Sequence, residues 1–340
     1  MKSRQEQPTS VNKLSVIIPV YNDPDNLGKC LDSLDRSRFK EFQLIVVDDG
    51  SEVSCEHVAA DRCDEFIRLE QNGGQSAARN LGAGQATADH LLFLDSDIMV
   101  EPDTLDRVLQ EFGQHPDIAA LFCSFQHDTP QKNFFSQFKN LQHHFTHQVS
   151  RPDAVTFCGG FGAIRSEVFF GIGGFQENLR FMEDVDMGYR LHNAGHRILL
   201  CPAIQLTHNK RYSLASLIKS DLFQRAIPWT RIMLEREIYR NDLNTSSNNV
   251  ASVVVVFLML AALMVQPGGI TGLVAAESIL LLTLVLLNRP FLSYIRKMRG
   301  VGFAVLTVGM IWLQYAYSGL GFLLGVLAHY RARLAGSGHD

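Results

Sequence analysis

The apolar pattern divides the chain in two. From Leu14 to about Leu206, short apolar runs alternate with stretches whose apolar residues recur every three or four positions; from Val250 onward the apolar runs are far longer. Leu14–Val20, Phe42–Val47, Phe66–Leu69 and Leu91–Leu94 have the length and composition of strands buried on both faces. Between them, residues 26–34 place Leu27, Cys30, Leu31 and Leu34 on one helical face. Residues 75–86 and 102–112 also read as helices. Asn72-Gly73-Gly74 enters the first, and Pro102-Asp103 suits the first turn of the second. Residues 185–194 predict a further helix, and 198–201 a short strand extending to Leu206. This alternation predicts a parallel sheet with helices on both faces. Ligands of such sheets bind outside the carboxyl ends of the strands. Tyr21-Asn22-Asp23, Asp48-Asp49 and Asp95-Ser96-Asp97 each follow a strand, so all three are expected on one rim.

The second half reads as membrane. Residues 250–265, a Pro267-Gly268-Gly269 turn and residues 270–287 predict a transmembrane hairpin. Residues 301–328 form a third apolar stretch with Gln314 near its middle, which either crosses or turns back as two halves. Arg289, Arg296, Lys297 and Arg299 lie between the second and third stretches, and the positive-inside rule puts them in the cytoplasm. A third crossing leaves Arg331 and Arg333 outside, against that rule. Glu277 lies within the second run, seven residues in, and an acid there is either functional or reaches an interface. Residues 212–239 carry Leu214, Leu217, Ile218 and Leu222 at helical spacing with Lys219, Arg225, Arg231 and Arg236. This basic amphipathic pattern suits helices lying on anionic membrane lipids, the alternative being a solvated helix face. The expected layout is a polar tail (1–12), a catalytic domain (13–210), interface helices (211–249), a transmembrane region (250–330) and a tail (331–340).

Charge and cysteine usage narrow the class. The 340 residues carry a net charge of -4, so no global basic field points to nucleic acid. The six cysteines (30, 55, 63, 123, 158, 201) show no zinc spacing and read as reduced thiols facing the cytosol. The polar residues Met1 to Gln7 predict no secretory leader. The expectation is a multi-pass protein of the cytoplasmic membrane whose soluble part lies in the cytoplasm.

The sharpest chemical signal is Asp95-Ser96-Asp97. A strand that delivers two carboxylates to its carboxyl end offers oxygen ligands to Mg2+ or Mn2+, and Mg2+ is usually held by one or two carboxylates plus substrate phosphates. The alternative is a solvated turn. His143, His144 and His147 also have a spacing that could bind metal, but the aromatic-rich pattern of 133–145 favours a packed or membrane-facing helix. No G-x-G-x-x-G follows the first strand, where Pro19-Val20-Tyr21-Asn22 stands, which argues against a dinucleotide enzyme.

Four segments occur in order: Ser15 to Asn22 (SVIIPVYN), Val46 to Ser51 (VVDDGS), Asn72 to Asn80 (NGGQSAARN) and Asp95-Ser96-Asp97. Gly173 to Glu177 (GGFQE) and Phe181 to Arg190 (FMEDVDMGYR) come later. Over residues 13–210 the chain resembles the glycosyltransferase family 2 enzymes of the GT-A fold, in membrane-anchored form. That resemblance implies an α/β fold with a Rossmann-like, mostly parallel sheet flanked by helices, followed here by amphipathic and transmembrane helices. It implies an inverting, metal-dependent transfer from a nucleotide-sugar, with UDP as the default nucleotide; the basic amphipathic segment beside the spans adds the expectation of a lipid-linked or glycan acceptor in cell-envelope glycan or glycolipid synthesis. Asp97 is the first choice for Mg2+ or Mn2+, with Asp95 on the ribose or in the metal shell, and His208 matches a histidine that can complete the metal site. Pro19, Tyr21 and Asp49 match the nucleobase pocket, although Asp48 to Ser51 also reads as a capped turn. Arg79 pairs either with phosphate or with the Asp95 region. Asp184 is the candidate general base, with Glu183 supporting it; the alternative makes the two an N-terminal pair on a helix. The segment 224–229 (QRAIPW) is similar to the Q-x-x-R-W motif of processive synthases but departs in spacing and lacks the arginine before the tryptophan. Rival readings are a processive polysaccharide synthase subunit and a non-catalytic nucleotide-binding membrane scaffold.

Overall fold

The computed structural model describes residues 13–238 and 247–336. The tail 1–12, residues 239–246 of the expected interface segment and the last residues, 337–340, lie outside the described residues. The chain forms two compact units, Met1–Ser124 with Pro152–Asn209, and Phe125–Arg151 with Lys210–Asp340.

In the first unit, β1 (Leu14–Val20), β2 (Phe42–Asp48), β3 (Glu65–Arg68) and β4 (His90–Leu94) pair in parallel, with β1 between β2 and β4. β1 is buried along its whole length, as a continuous apolar run requires. The helices between these strands are α1 (Pro24–Asp35), α2 (Glu56–Ala59) and α3 (Gln75–Gly84). Helix α1 starts at Asp23, whose side chain accepts from the Asn26 N–H, and buries Leu27, Cys30, Leu31 and Leu34. Each of those leucines is worth about 1.5–3 kcal/mol relative to exposure. Helix α3 lies so close to β1 that a Cβ on Gly82 would stand 2.6 Å from Ile17 Cγ2.

The sheet is mixed beyond β4. β5 (Ile98–Met99) and α4 (Thr104–Gln114) lead into β6 (Ile118–Phe125). After α5 (Phe134–Val149) come β7 (Asp153–Ala154), β8 (Phe161–Arg165), α6 (Ser166–Gly171), α7 (Glu183–Asn193) and β9 (Arg197–His208). The strand order is β3-β2-β1-β4-β8-β6-β9-β5, with β7 beside β9. β8 runs antiparallel to both β4 and β6, and β9 antiparallel to β5 and β7. The expected mostly parallel sheet is thus present, with its first four strands parallel and the antiparallel pairings confined to the later ones. β6, eight residues long and buried throughout, is as apolar as the first four strands, but an apolar run carries no strand direction.

The second unit takes in residues 125–151, which the sequence pattern had assigned to the catalytic domain. Phe138 and Leu141 on α5 bury against Tyr212, Leu217, Phe291, Ile295, Met310 and Ile311. His143 and His147 stack on Phe125, and His144 Nδ1 lies 2.7 Å from the Phe125 carbonyl. The three histidines thus sit in a packed helix, and no metal-binding group of three occurs among the described residues. Next come α8 (Leu214–Lys219), a π-helical stretch (Ser220–Ala226) and α9 (Ile227–Arg236). Among the basic residues expected at a bilayer surface, Arg225 pairs with Asp221 and His143, and Arg231 with Glu235.

Helices α10 (Ser247–Val265), α11 (Gly269–Leu287) and α12 (Arg289–Gly336) contain three stretches long and apolar enough to cross a membrane. α12 breaks once, at Gly300 (φ 84), and is helical from there on, so its apolar stretch is one helix and not two halves that turn back. Arg299 fixes the short arm before the break through Asp128 (2.6 Å) and Gln137 (2.8 Å). The Tyr315 hydroxyl lies 3.0 Å from Asn249 Oδ1 and 2.7 Å from Asn288 Oδ1, gathering the start of α10 and the end of α11. Glu277 falls near the middle of α11, with Oε1 buried and unpartnered.

Candidate active site

The parallel strands deliver their carboxyl ends to one rim. Pro19, which is buried, is the last residue but one of β1, and Tyr21, which is 48% exposed, directly follows the strand. β2 ends in Asp48-Asp49. Asp48 is buried and accepts from the Ser51 and Cys55 N–H groups at 2.9 Å each, which is the capped turn. Asp49 reaches across to the glycine-rich entry of α3. Its carboxylate accepts from Gly73 N–H (2.7 Å), Gly74 N–H (3.0 Å) and Asn72 Nδ2 (2.9 Å). Burial raises the Asp49 pKa, opposed by the two glycine N–H groups. The second and third sequence motifs are therefore one hydrogen-bonded structure.

A second cluster forms around Arg79 on α3. This guanidinium is 2% exposed and forks between two carboxylates: Nη2 to Asp95 Oδ1 at 2.8 Å and Nη1 to Glu183 Oε1 at 2.6 Å. Burial works against its charge, but Asp95 and Glu183 raise its pKa overall. Glu183 and Asp184 open α7, which Met182 enters in the left-handed region (φ 64). Asp184 accepts from the Val185 N–H (2.8 Å) and the Gly159 N–H (3.3 Å). Burial pushes the Asp184 carboxyl above its usual range, Asp95 adds to this, and Arg79 opposes it. Glu183 is raised likewise by burial, with Arg79 again opposing.

Asp97 lies beyond this cluster. The pairing of β5 with β9 sets Ile98 opposite His208, and brings His208 Nε2 to 3.5 Å from Asp97 Oδ2. The Asp97 carbonyl accepts from Asn209 N–H at 2.8 Å. Of the three residues expected to hold a metal, Asp97 and His208 are paired, while Asp95 turns one oxygen to Arg79. A carboxylate and an imidazole fit Mn2+ or Mg2+ as a partial ligand set to be completed by phosphate oxygens.

Sequence reasoning missed the turn Cys158-Gly159-Gly160. Gly159 donates to Asp184, and a Cβ on Gly160 would stand 2.6 Å from Asp95 Oδ2. Two adjacent glycines just before a strand are the signal that was available for a close backbone approach. It also missed Asn80, whose side chain binds Phe175 through both its backbone groups and reaches Glu177 at 2.9 Å, joining α3 to the Gly173-Gly174 turn.

A mixed sheet with its parallel half first, and an Asp-x-Asp at the carboxyl end of β4, define the GT-A class of catalytic domain. Residues 15–171 match the family described as Glycosyl transferase family 2. It is 32% identical over 186 residues to an uncharacterized glycosyltransferase of Haemophilus influenzae, covering 52% of this chain and 61% of the relative. It is 28% identical over 221 residues to the pre-mycofactocin glycosyltransferase of Mycobacterium tuberculosis, covering 62% and 45%. The chain thus spans about half the length of these curated relatives. Among solved structures, the mannosyltransferase PcManGT from Pyrobaculum calidifontis, in complex with GDP-Man and Mn2+, superposes with TM-score 0.57 over 97% of this chain and 90% of that one, at 14% identity. S. aureus TarS in complex with UDP-GlcNAc gives TM-score 0.52 over 94% and 92%, at 19% identity. At these identities the likeness is one of fold.

Proposed function

We propose that this protein is an inverting, metal-dependent glycosyltransferase that moves a sugar from a nucleotide-sugar to a hydroxyl or phosphate on a lipid-linked acceptor at the cytoplasmic face of a membrane. The observation that carries this reading is the meeting, at the carboxyl end of β4, of Asp95 with Glu183 and Asp184 from almost 90 residues away. Asp97 and His208 would hold the cation. Bound there, Mn2+ or Mg2+ would supply positive charge to the leaving diphosphate.

The remaining roles follow from the side chains. Asp184 takes the proton of the acceptor hydroxyl as its oxygen bonds to the anomeric carbon. The bond from that carbon to the diphosphate oxygen breaks on the opposite face, so one displacement inverts the configuration. A carboxyl raised by burial is a better base near neutral pH than an ordinary aspartate. Asp49 orders the turn at 72–74 beside the nucleotide rim, and Tyr21, exposed at the end of β1, is placed to line the base. The three apolar helices support a membrane acceptor. The relatives and neighbours include proteins named for pre-mycofactocin and for complexes with GDP-Man and UDP-GlcNAc, so the donor panel must include both nucleotides.

The test is nucleotide release and sugar transfer by the full chain in nanodiscs, with UDP- and GDP-sugars, with and without Mn2+, offering water-soluble or lipid-bearing acceptors. Transfer restricted to lipid-bearing acceptors in the presence of metal is expected. Equal rates on both acceptor types would remove the membrane acceptor, and no turnover of any donor would leave the nucleotide-binding scaffold as the reading.

A further inference from the structure

Arg79 admits two roles on sequence grounds, a phosphate ligand or a partner of Asp95. We propose that it is neither a donor ligand nor a plain structural ion pair but a positioning residue: its guanidinium fork ties the donor-side Asp95 to the acceptor-side Glu183 and so sets where Asp184 stands. The inference rests on the glycosyl-transfer reading above.

Both terminal nitrogens are committed, at 2.8 Å to Asp95 and 2.6 Å to Glu183. The residue is 2% exposed, and the Phe175 ring covers it at 5.3 Å from Cζ to the centroid. A side chain this buried offers a phosphate almost no surface. The fork is rigid and planar, so the two carboxylates it binds are fixed relative to one another in a way a lysine cannot reproduce. Glu183 is joined to Asp184 by one peptide unit. Gly159, which donates to Asp184, packs so tightly on the guanidinium that a Cβ there would lie 3.1 Å from Nη1 and 3.3 Å from Asp184 Cβ. Arg79 therefore constrains Asp184 both along the chain, through Glu183, and through space, through Gly159. Its Nε–H is buried without a partner, a loss that a salt bridge selected only for stability has no reason to carry.

The experiment uses the full chain in nanodiscs with Mn2+, following release of UDP from UDP-GlcNAc and GDP from GDP-mannose, with nucleotide affinity measured separately by calorimetry. Wild type must first turn over one donor; release of neither would sink the glycosyl-transfer reading and this inference with it. Arg79→Lys keeps the charge and loses the fork. Its kcat should fall about 100-fold, the size of effect a misplacement of about 1 Å produces, while nucleotide Kd stays within about twofold of wild type. Arg79→Met combined with Glu183→Gln removes the cation together with one of its acids, restoring the charge balance that Arg79→Met alone upsets. It should recover the melting temperature lost by Arg79→Met alone without recovering kcat. Unchanged kcat in Arg79→Lys, or wild-type turnover in the double variant, would overturn the proposal. So would a weakened nucleotide Kd with kcat preserved, which is the signature of a donor ligand.

Discussion

Two buried charge clusters, one in each unit, use the same chemistry to different ends. In the second unit, Lys139 and Asp221 meet at 2.8 Å, each with a side chain 6% exposed. The Tyr317 hydroxyl donates to the other Asp221 oxygen at 2.8 Å, and Arg225 approaches at 3.5 Å. Burial pulls the Lys139 pKa down to about 8, opposed by Asp221, so it stays protonated at neutral pH; Lys139 and Arg225 hold Asp221 low against burial. Cations exceed anions there, and the Lys139–Asp221 pair at its centre is sealed, with only the outer Arg225 reaching solvent. In the first unit one guanidinium faces three carboxylates, those of Asp95, Glu183 and Asp184, and Asp95 is 28% exposed. That cluster is short of positive charge and open. A balanced, closed network holds helices together; an acid-rich, open one keeps carboxyls raised and offers a place for a cation and a reacting proton.

The largest expected effect tests the open side. Asp97→Ala removes one of the two residues proposed to hold metal, and turnover should fall by about 10³-fold, since such an ion is worth several kcal/mol to the transition state. Chelation of wild type should do the same. The stabilisation of wild type by a nucleotide-sugar with Mn2+, about 2.7 kcal/mol at a hundred times its Kd, should vanish in the variant. Full stabilisation of the variant in a thermal melt would move the metal elsewhere.

Asp184→Asn should lower turnover by about 10²–10⁴-fold with nucleotide binding kept. The pH dependence has a definite sign. The Asp184 carboxyl is raised above its ordinary 3.8, and only the ionised form is a base, so the acid limb of kcat should lie above pH 3.8 and activity should rise with pH through it. A raised carboxyl also means that its ionisation weakens the fold: the unfolded chain loses its proton first, and the cost is complete above the folded-state pKa. Asp184→Asn should therefore melt no lower than wild type at pH 7 while losing activity. A lower melting temperature together with preserved turnover would make Asp184 a helix-capping residue.

Lys139→Met reverses that pattern. It leaves Asp221 buried with part of its compensation gone, which costs about 3–5 kcal/mol for a sealed pair. Thermal melts should register the loss, and turnover of the remaining folded protein should stay within about twofold. Pairing it with Asp221→Asn should recover most of the stability. A kcat that fell in step with stability would erase the contrast between the clusters.

The open cluster was more legible in the sequence than the sealed one. The strand-end aspartates announced themselves because the apolar runs before them fix direction and burial, and β1, β2, β3 and β4 follow those runs to within a residue or two. Which partner each acid takes was not legible. Asp49 goes to the backbone of Gly73 and Gly74, and backbone donors have no sequence signature. The sequence offered Asp95 as one partner of Arg79, but Glu183 reaches it across 104 positions of chain, which no periodicity encodes. Lys139 and Asp221 each sit in an amphipathic helical stretch where a charge reads as solvent-facing, and only tertiary packing shows that these two point inward. The π-helical stretch at 220–226 shifts the helical register that such a reading assumes.

The smallest effect probes how far sealing reaches into the apolar helices. Asn249, at the start of α10, and Asn288, just past α11, both meet the Tyr315 hydroxyl. Asn288 Nδ2 has further partners in Ser252 Oγ at 3.0 Å and the Leu284 carbonyl at 2.9 Å. Tyr315→Phe removes one hydroxyl and leaves the two Asn288 Nδ2 contacts standing. Interhelical hydrogen bonds in membranes average about 0.6 kcal/mol, because the separated helices find other partners. Tyr315→Phe should cost about that in a reversible unfolding assay in bilayers, several times less than Lys139→Met. A loss as large as that of Lys139→Met would mean that the polar contacts among the apolar helices act as one network whose members cannot replace each other. In that case the sealed region would extend from α5 through all three spans.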